Sequence, residues 1–237
     1  MGRNNYFQFK QFRINQERSA MKVGIDGVLL GAWADVRDCK SILDIGTGTG
    51  LIALMLAQRS QAQITAIEIE KNAAKEAIEN AAASPWKNRV EVTNVSIQKF
   101  AGETSSQFDL IVSNPPFFQN SLKAGTQSRS LARHTDSLPY EILLKITSDL
   151  LTEEGRSAFI FPEAALKEIE NLTKQNQLYV KRILMVAPNE KKAANRVLVE
   201  MSKKEFSTET GRLLIYNNDG SWSDTFKMLT RDYYLNF

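Results

Sequence analysis

The sequence has few of the residues that build disulfides and metal centres. Its 237 residues include one cysteine, Cys39, and one histidine, His134. A single cysteine excludes an internal disulfide and fits a reducing compartment, and so little Cys and His excludes most metal sites. The sequence also lacks an apolar run near the roughly 20 residues that span a bilayer, and its first residues lack a signal-peptide core. We therefore expect a cytoplasmic monomer with no metal and no membrane partner.

An excess of charge of one sign is also absent, because the formal net charge is only +3. Basic residues are nevertheless concentrated in residues 1–22 and 181–204, and the polar loop at 118–139 adds more. Such segments fit an RNA phosphate footprint, although solvated surface faces explain the same composition equally well. The residues that we predict to contact RNA are Lys10, Arg13, Arg129, Arg133, Lys191, Lys192 and Arg196.

From about residue 40, short β-branched runs alternate with amphipathic stretches, a pattern typical of parallel βαβ units. The predicted strands are 41–45, 63–69, 90–95, 108–114, 157–161, 179–187 and 196–202, and the predicted helices are 51–59, 71–84, 140–151 and 164–175. The segment between the last two strands is too short for a crossover helix, so we expect an antiparallel terminal strand. The sequence predicts a Rossmann-like α/β fold with a seven-stranded, mostly parallel sheet and helices on both faces. Residues 1–38 are expected to be an extension covering the site of a 39–237 domain, the two forming one structural unit.

The segment DIGTGTG, residues 44–50, joins the first predicted strand to the first helix. Gly46 and Gly48 allow a tight turn and a close approach by a ligand, and Glu68, at the end of the second strand, can bind both hydroxyls of a ribose. Leu51 stands where a dinucleotide fingerprint requires its third glycine, and Asp44 would repel a pyrophosphate but attract an ammonium group. The pattern favours a cationic ligand that carries a ribose but no phosphate, and S-adenosylmethionine fits this description.

The second motif is Asn114-Pro115-Pro116-Phe117, at the end of the fourth predicted strand. Two prolines remove two backbone donors and leave carbonyl oxygens free to accept, alongside the Asn114 amide oxygen. Such acceptors can hold a planar amine and favour a more nucleophilic nitrogen, while Phe117 can stack on a flipped-out base. These four residues are the predicted catalytic group, and methyl transfer by positioning alone needs no general base. Taken without the glycine loop, the same motif equally fits a rigid turn that ends a strand.

Together, DIGTGTG, Glu68 and NPPF resemble the Rossmann-like amino-methyltransferases with an (D/N/S)PP(Y/F) motif. The opening stretch FKQFRINQERSAMKVGIDGVLLGAWA, residues 9–34, is similar to that of the bacterial tRNA(Val) adenine-N6-methyltransferase family, whose members modify the adenine next to the anticodon. The resemblance runs from about Phe7 through the basic terminal strands.

The resemblance implies a set of cofactor contacts: Lys22, Asp26, Asp44, Gly46, Thr47, Gly48, Glu68, Ser96, Ile97 and Asn114. Lys22 and Asp26 would lie over the methionine end of the cofactor. Ser96 departs from the family pattern, because an acid that binds the adenine amine commonly occupies this position. A hydroxyl accepts such a bond more weakly, so the departure bears on cofactor affinity.

Three other functions remain open at this point. A protein glutamine amide is also planar and weakly nucleophilic, so the NPP motif fits a glutamine methyltransferase as well. A non-catalytic RNA-binding module with a vestigial cofactor fold is a second alternative, against which the intact Asp44, Glu68 and Asn114 argue. The missing third glycine disfavours a dinucleotide-dependent oxidoreductase.

Overall fold

The computed structural model of the protein describes residues 4–19, 21–116 and 138–236. Its strands are β1 (Tyr6–Gln8), β2 (Arg13–Asn15), β3 (Ser41–Ile45), β4 (Gln63–Glu68), β5 (Val90–Asn94), β6 (Phe108–Ser113), β7 (Leu151–Pro162), β8 (Tyr179–Ala187), β9 (Arg196–Ser202) and β10 (Glu209–Leu214). Its helices are α1 (Ile25–Trp33), α2 (Leu51–Arg59), α3 (Lys71–Ala83), α4 (Ile97–Glu103), α5 (Tyr140–Leu150), α6 (Leu166–Gln175) and α7 (Asp224–Thr230), with a 3-10 turn at Glu163–Ala165.

The main sheet has the strand order β10-β8-β9-β7-β6-β3-β4-β5, and β1 and β2 form a separate hairpin. Strand β9 is antiparallel to both of its neighbours, and the other pairs are parallel. This confirms the predicted α/β class with one antiparallel strand. The sheet has eight strands and not seven, because β10 was missed. The first four residues of β10 are exposed at the sheet edge, so the strand has no alternating apolar signal.

No elements were predicted for the segments that form β1, β2, α1 and α7, and two elements between them also differ from the prediction. Helix α4 was not predicted, because it has only seven residues and little apolar periodicity. Strand β7 begins at Leu151, six positions earlier than expected, and Gly155 lies inside it. The register between β6 and β7 shifts there, and a Cβ on Gly155 would lie 2.9 Å from the carbonyl oxygen of Phe108. The glycine therefore marks a close approach of two strands.

Two apolar layers cover the two faces of the sheet, as the alternation along β3 requires: Ile42 belongs to one layer and Leu43 to the other. The first layer contains α1, α2, α7 and the β1–β2 hairpin. The second contains α4, α5 and α6. Among the described residues, no helix combines the length and apolar character needed to cross a membrane.

Residues near both ends of the chain pack together in the first layer. Phe9 and Tyr233 are buried, and the ring of Phe9 lies 6.0 Å from that of Tyr234. The backbone N–H of Lys10 donates to the carbonyl of Tyr233 at 2.8 Å, and the Tyr233 hydroxyl donates to the carbonyl of Met55 in α2 at 3.1 Å. The dense aromatic C-terminal segment is therefore part of the core.

Two helical glycines should respond in opposite directions to alanine. A Cβ on Gly31 in α1 would lie 2.9 Å from the Cβ of Met55, whereas a Cβ on Gly102 in α4 meets nothing within 4 Å. Gly102→Ala should raise the free energy of unfolding by about 0.5–1 kcal/mol through helix propensity. Gly31→Ala should lower it by about 1–3 kcal/mol, because α1 and α2 must move apart. Urea unfolding of both variants measures the difference, and a stabilised Gly31→Ala protein would show that the two helices do not pack this closely.

Candidate functional site

A cavity of about 260 Å³ opens where β3, β4 and β6 end at the carboxyl edge of the sheet. The register places the end of β3 beside the ends of both neighbours, since Ile45 pairs with Ile67 and with Ser113. Parallel strands bind ligands at this edge. Eight of the predicted site residues line the cavity: Gly46, Gly48, Glu68, Ser96, Ile97, Asn114, Pro115 and Pro116.

The glycine loop forms one wall of the cavity. Gly46, Gly48 and Gly50 have φ angles of +70°, +59° and +84°, in the left-handed region where a side chain is strained. A Cβ on Gly46 or Gly48 would meet no protein atom within 4 Å, so protein packing does not require glycine at these two positions. The backbone conformation does, and the space in front of both glycines remains free for a ligand.

The carboxylate of Glu68 lines the cavity beside the glycine loop and is held in a fixed orientation. One oxygen, Oε2, accepts a hydrogen bond from the Gly48 N–H at 2.9 Å, and Oε1 accepts one from the Glu70 N–H, also at 2.9 Å. The Asn94 amide donates to the carbonyl of Glu68 at 2.8 Å and thereby fixes the end of β4. A carboxylate oxygen accepts more than one hydrogen bond, so both oxygens retain capacity for the hydroxyls of a ribose.

Asp44 lies beneath the glycine loop and is completely buried. Its Oδ2 accepts from the Thr47 hydroxyl at 2.6 Å and from the Ala53 N–H at 3.1 Å, whereas Oδ1 has no partner among the described residues. Burial raises the pKa of Asp44 to about 7, because the loss of water outweighs these two hydrogen bonds, and the charge of Glu68 adds to the rise. Neither Asp44 nor Thr47 is among the cavity-lining residues, and Thr47 holds the carboxyl group in place.

Ser96 and Ile97 lie at the start of α4. The Ser96 hydroxyl accepts from the Lys99 N–H at 3.2 Å, so it caps the helix while it lines the cavity. Ile97 is buried with its side chain against the second apolar layer. The hydroxyl of Ser96 can still donate a hydrogen bond, but one of its acceptor positions is already used.

Asn114 follows β6 at the rim of the cavity. Its amide oxygen Oδ1 is buried and has no partner among the described residues. The preceding Ser113 donates its hydroxyl to the carbonyl of Ile45 at 2.8 Å, which ties the end of β6 to β3. Pro115 is buried and Pro116 is exposed, while Phe117 lies outside the described residues.

Lys22, Asp26 and Arg196 take part in contacts that the sequence did not indicate. The Lys22 ammonium donates to the carbonyl of Gln16, and the Asp26 carboxylate pairs with the Arg196 guanidinium, with 2.8 Å between Oδ2 and Nε. Lys22 and Asp26 are not among the residues that line the cavity. The ion pair joins α1 to the start of β9 at the carboxyl edge of the sheet.

The other described residues that we predicted to contact RNA lie in two places. Lys191 and Lys192 are exposed in the loop between β8 and β9, at the same sheet edge as the cavity. Lys10 donates to the carbonyl of Arg231 at 2.6 Å, and Arg13 lies 4.3 Å above the ring of Tyr6. Arg129 and Arg133 lie outside the described residues.

Several cavity residues were missed by sequence reasoning. They are Ser19, Met21, Ile45, Ile67, Ile69, Glu70, Ala73, Val95, Gln98, Ser113 and Leu138. Most of them adjoin a motif residue, and the ends of the predicted strands would have found them. Ser19 and Met21 are brought in by the N-terminal segment, for which only the resemblance gave a signal. No local pattern marks Leu138.

The residues present fit S-adenosylmethionine. Positive-φ glycines with free space before them allow a ligand to approach the backbone, and Glu68 is oriented for a ribose. Within the described ranges, the Oδ1 atoms of Asn114 in the cavity lining and of Asp44 beneath the glycine loop are buried acceptors without a partner, which favours ligands that carry N–H groups. Among the described residues, no three His, Cys, Asp or Glu side chains are grouped to hold a metal ion.

Comparison with known proteins agrees with this site. The family model described as "Methyltransferase small domain" matches residues 25–137. The chain is 45% identical over 236 residues to the tRNA1(Val) (adenine(37)-N6)-methyltransferase of Trichodesmium erythraeum, covering 98% of this chain and 99% of that protein. It is also 45% identical over 233 residues to the Haemophilus influenzae protein of the same name, covering 98% and 99%.

Among solved structures, a predicted O-methyltransferase from Agrobacterium tumefaciens superimposes with a TM-score of 0.66 at 20% identity, covering 90% of this chain and 100% of that chain. The fold and the site thus define a class I, S-adenosylmethionine-dependent methyltransferase. The near full-length identity is more specific: the chain belongs to the tRNA1(Val) (adenine(37)-N6)-methyltransferase family.

The buried Asp44 predicts a pH-dependent cofactor affinity. A ligand ammonium favours the ionised carboxylate, but with a pKa of about 7 the free protein increasingly holds a proton there as pH falls. S-Adenosylhomocysteine should therefore bind about tenfold more weakly at about pH 6 than at about pH 8. Calorimetry in two buffers measures the affinity and the proton released on binding. Asp44→Asn is the matched control and should bind weakly with no such pH dependence; an equally steep dependence in this variant would assign the titration to another group.

Proposed function

We propose that this protein transfers a methyl group from S-adenosylmethionine to the exocyclic N6 of an adenine in tRNA. The proposed target is the adenine next to the anticodon of valine tRNA, and the proposed site of action is the cytoplasm. The observation that carries the proposal is the buried amide oxygen of Asn114, which has no partner in the part of the chain that the structure describes and lines the same cavity as Glu68. The activity in the names of the relatives supports the choice of nucleic acid and target atom.

The protein contributes binding and orientation. When bound, S-adenosylmethionine supplies a methyl group activated by its sulfonium. Glu68 would hold the ribose hydroxyls, and the glycine loop would allow the ligand to approach the backbone. Asp44 would stabilise the ammonium of the methionine moiety from beneath the loop, directly or through water. These residues would fix the position of the methyl donor.

Asn114 and the two prolines would fix the position of the target amine. An exocyclic adenine amine has two N–H donors and a lone pair delocalised into the ring. Its two N–H groups would donate hydrogen bonds to the Asn114 amide oxygen and to a carbonyl of the rigid Pro115-Pro116 segment, which holds its backbone extended. Accepting both protons favours a pyramidal, more nucleophilic nitrogen. Catalysis of this kind relies on positioning and on exclusion of water, and the proton is lost after methyl transfer.

The loop between β8 and β9 would hold the RNA. Lys191 and Lys192 are exposed at the same sheet edge as Asn114, so a tRNA whose adenine enters the cavity would pass its backbone near them. Phosphate contacts of this kind orient the substrate without reading its sequence. The basic character of this loop favours RNA over a protein glutamine as the substrate.

The function is tested with tritiated S-adenosylmethionine and bulk tRNA from a strain that lacks its own enzyme of this kind. The labelled RNA is digested and the labelled nucleoside is identified. Label in N6-methyladenosine supports the proposal, whereas label in another nucleoside would overturn the target assignment. Label in protein and not in RNA would favour the glutamine methyltransferase. A protein that binds no cofactor would be an RNA-binding module.

Asn114→Ala should abolish methyl transfer to tRNA while cofactor affinity changes less than about threefold. The truncation removes the acceptor for the target amine but leaves Asp44, Glu68 and the glycine loop intact. Methylation assays and calorimetry with S-adenosylhomocysteine measure the two effects separately. Asn176→Ala, at the end of α6 and not among the cavity residues, is the control and should keep full activity. A parallel collapse of cofactor binding in Asn114→Ala would contradict the assigned role.

The chain contains two Lys-Lys pairs that allow a matched test of the RNA surface. Lys191 and Lys192 lie at the carboxyl edge of the sheet, and Lys203 and Lys204 follow β9 at the opposite edge. Changing the first pair to glutamine should weaken tRNA binding and reduce the slope of log K against log salt by about 2, about 1 per phosphate contact. The same change at Lys203 and Lys204 should have little effect on tRNA binding and on this slope. Equal effects at both pairs would refute a localised RNA surface.

A further inference from the structure

Helix α3 contains a carboxylate whose environment the reaction does not explain. Glu76 is 2% exposed and accepts hydrogen bonds from three consecutive backbone N–H groups. Its Oε1 lies 2.6 Å from the nitrogen of Glu17 and 3.0 Å from that of Arg18, and its Oε2 lies 3.0 Å from that of Ser19. No lysine or arginine of the described residues lies within ion-pair distance of it. The burial of this charge is therefore compensated by the backbone of residues 17–19, which we call the anchored segment.

The anchored segment leads directly into the cavity. Ser19 and Met21 line the cavity together with Glu68 and the NPP motif. The Ser19 hydroxyl donates to the carbonyl of Met21 at 3.0 Å, and the Val23 N–H donates to the Gln16 side chain at 2.7 Å. These bonds tie the chain that follows the anchored segment to Ser19 and Gln16.

The same face of α3 is bonded to the glycine loop. Asn80 lies one helical turn after Glu76 and is 1% exposed. Its Nδ2 donates to the carbonyl of Thr49 and to that of Asn15, both at 2.9 Å, and its Oδ1 accepts from the Asn15 N–H at 2.9 Å. Two buried polar side chains of one helix therefore hold the glycine loop and the N-terminal wall of the cavity in a fixed relation.

We infer that Glu76 is a positioning residue for cofactor binding, which places Ser19 and Met21 against the cofactor by fixing the backbone of the anchored segment. The inference rests on the proposed cofactor role of the cavity. Ordering a segment in advance lowers the entropy lost on binding, so the contribution of Glu76 lies in cofactor affinity and not in the chemical step. A residue that only stabilised the fold would change the unfolding temperature without changing affinity in the folded protein.

The variant Glu76→Gln tests this with minimal change of shape. A glutamine oxygen can still accept from Glu17 and Arg18, but its NH₂ group would face the Ser19 N–H, donor against donor. The hydrogen bond from the Ser19 N–H is therefore the one that is lost, and Ser19 is the residue of the three that lines the cavity. Glu79→Gln is the matched control, because Glu79 lies on the same helix and pairs with the Arg18 side chain at 2.8 Å, yet both partners are largely exposed and no backbone bond is lost.

Calorimetry with S-adenosylhomocysteine needs no tRNA, so it is independent of the substrate assignment. Glu76→Gln should weaken binding about tenfold, consistent with the loss of one hydrogen bond to a charged group. The KM for S-adenosylmethionine should rise by a similar factor while kcat at saturating cofactor stays within about twofold. Glu79→Gln should match the wild type in both. Equal affinity in Glu76→Gln and wild type would overturn the inference, whereas a wild type that binds no cofactor would overturn the proposed function with it.

Hydrogen exchange of the wild-type protein provides a second test that does not depend on how well a variant folds. The backbone amides of Glu17, Arg18 and Ser19 should be protected in the free protein and exchange more slowly still with S-adenosylhomocysteine bound. The amides of Glu205 and Ser207, in an exposed stretch that follows β9, are the internal comparison and should be unprotected in both states. Amides 17–19 that exchange as fast as this comparison would contradict the anchoring.

Discussion

Burial of the Asp44 carboxyl group constrains the rest of the site. The end of β3 removes this group from water, and among the residues that the structure describes only Oδ2 has hydrogen-bond partners, Thr47 and Ala53. Its pKa of about 7 reflects burial that opposes ionisation, and a bound cation nearby would favour the ionised form. As pH rises from about 4 through about 7, the unfolded chain loses this proton before the folded one, so the group lowers the stability of the free protein over that window. A site that gives up stability in this way is organised for a ligand and not for the fold alone.

The glycine loop connects that buried group to the other binding carboxylate. The loop crosses from Asp44 to the start of α2, and the N–H of Gly48 within it orients Glu68 on the neighbouring strand. Glu68 and Asp44 are therefore not independent. A change in the loop conformation would move the Gly48 N–H that donates to Glu68, and it would also change how the loop shields Asp44 from water. Positive φ at Gly46, Gly48 and Gly50 is the condition for this arrangement, which explains why three glycines alternate over five residues.

The sequence predicted the parts of this molecule that depend on local patterns. The central strands, the acidic end of β4 and the Asn114 motif are marked by short-range signals, and they converge because parallel strands end at one edge. The polar edge strand β10 and the start of β7 depend on pairing between distant segments and were missed. The Asp26–Arg196 pair and the bonds of Glu76 to residues 17–19 join segments that are far apart in the sequence, so no local pattern indicates them. The same limit explains why Ser19 and Met21 were not recognised as cavity residues.

The contact between the two ends of the chain has a consequence for biosynthesis. Lys10 and Arg231 are bonded across 221 positions, and the buried Phe9 packs on Tyr234. During translation Phe9 and Lys10 therefore lack these contacts until residues 231–234 have been synthesised, whereas Phe12 can already pack on Trp86. Helix α3 is available much earlier and can capture residues 15–19 in the meantime. The contacts of the N-terminal segment with α3 can thus form before its contacts with the C-terminal residues.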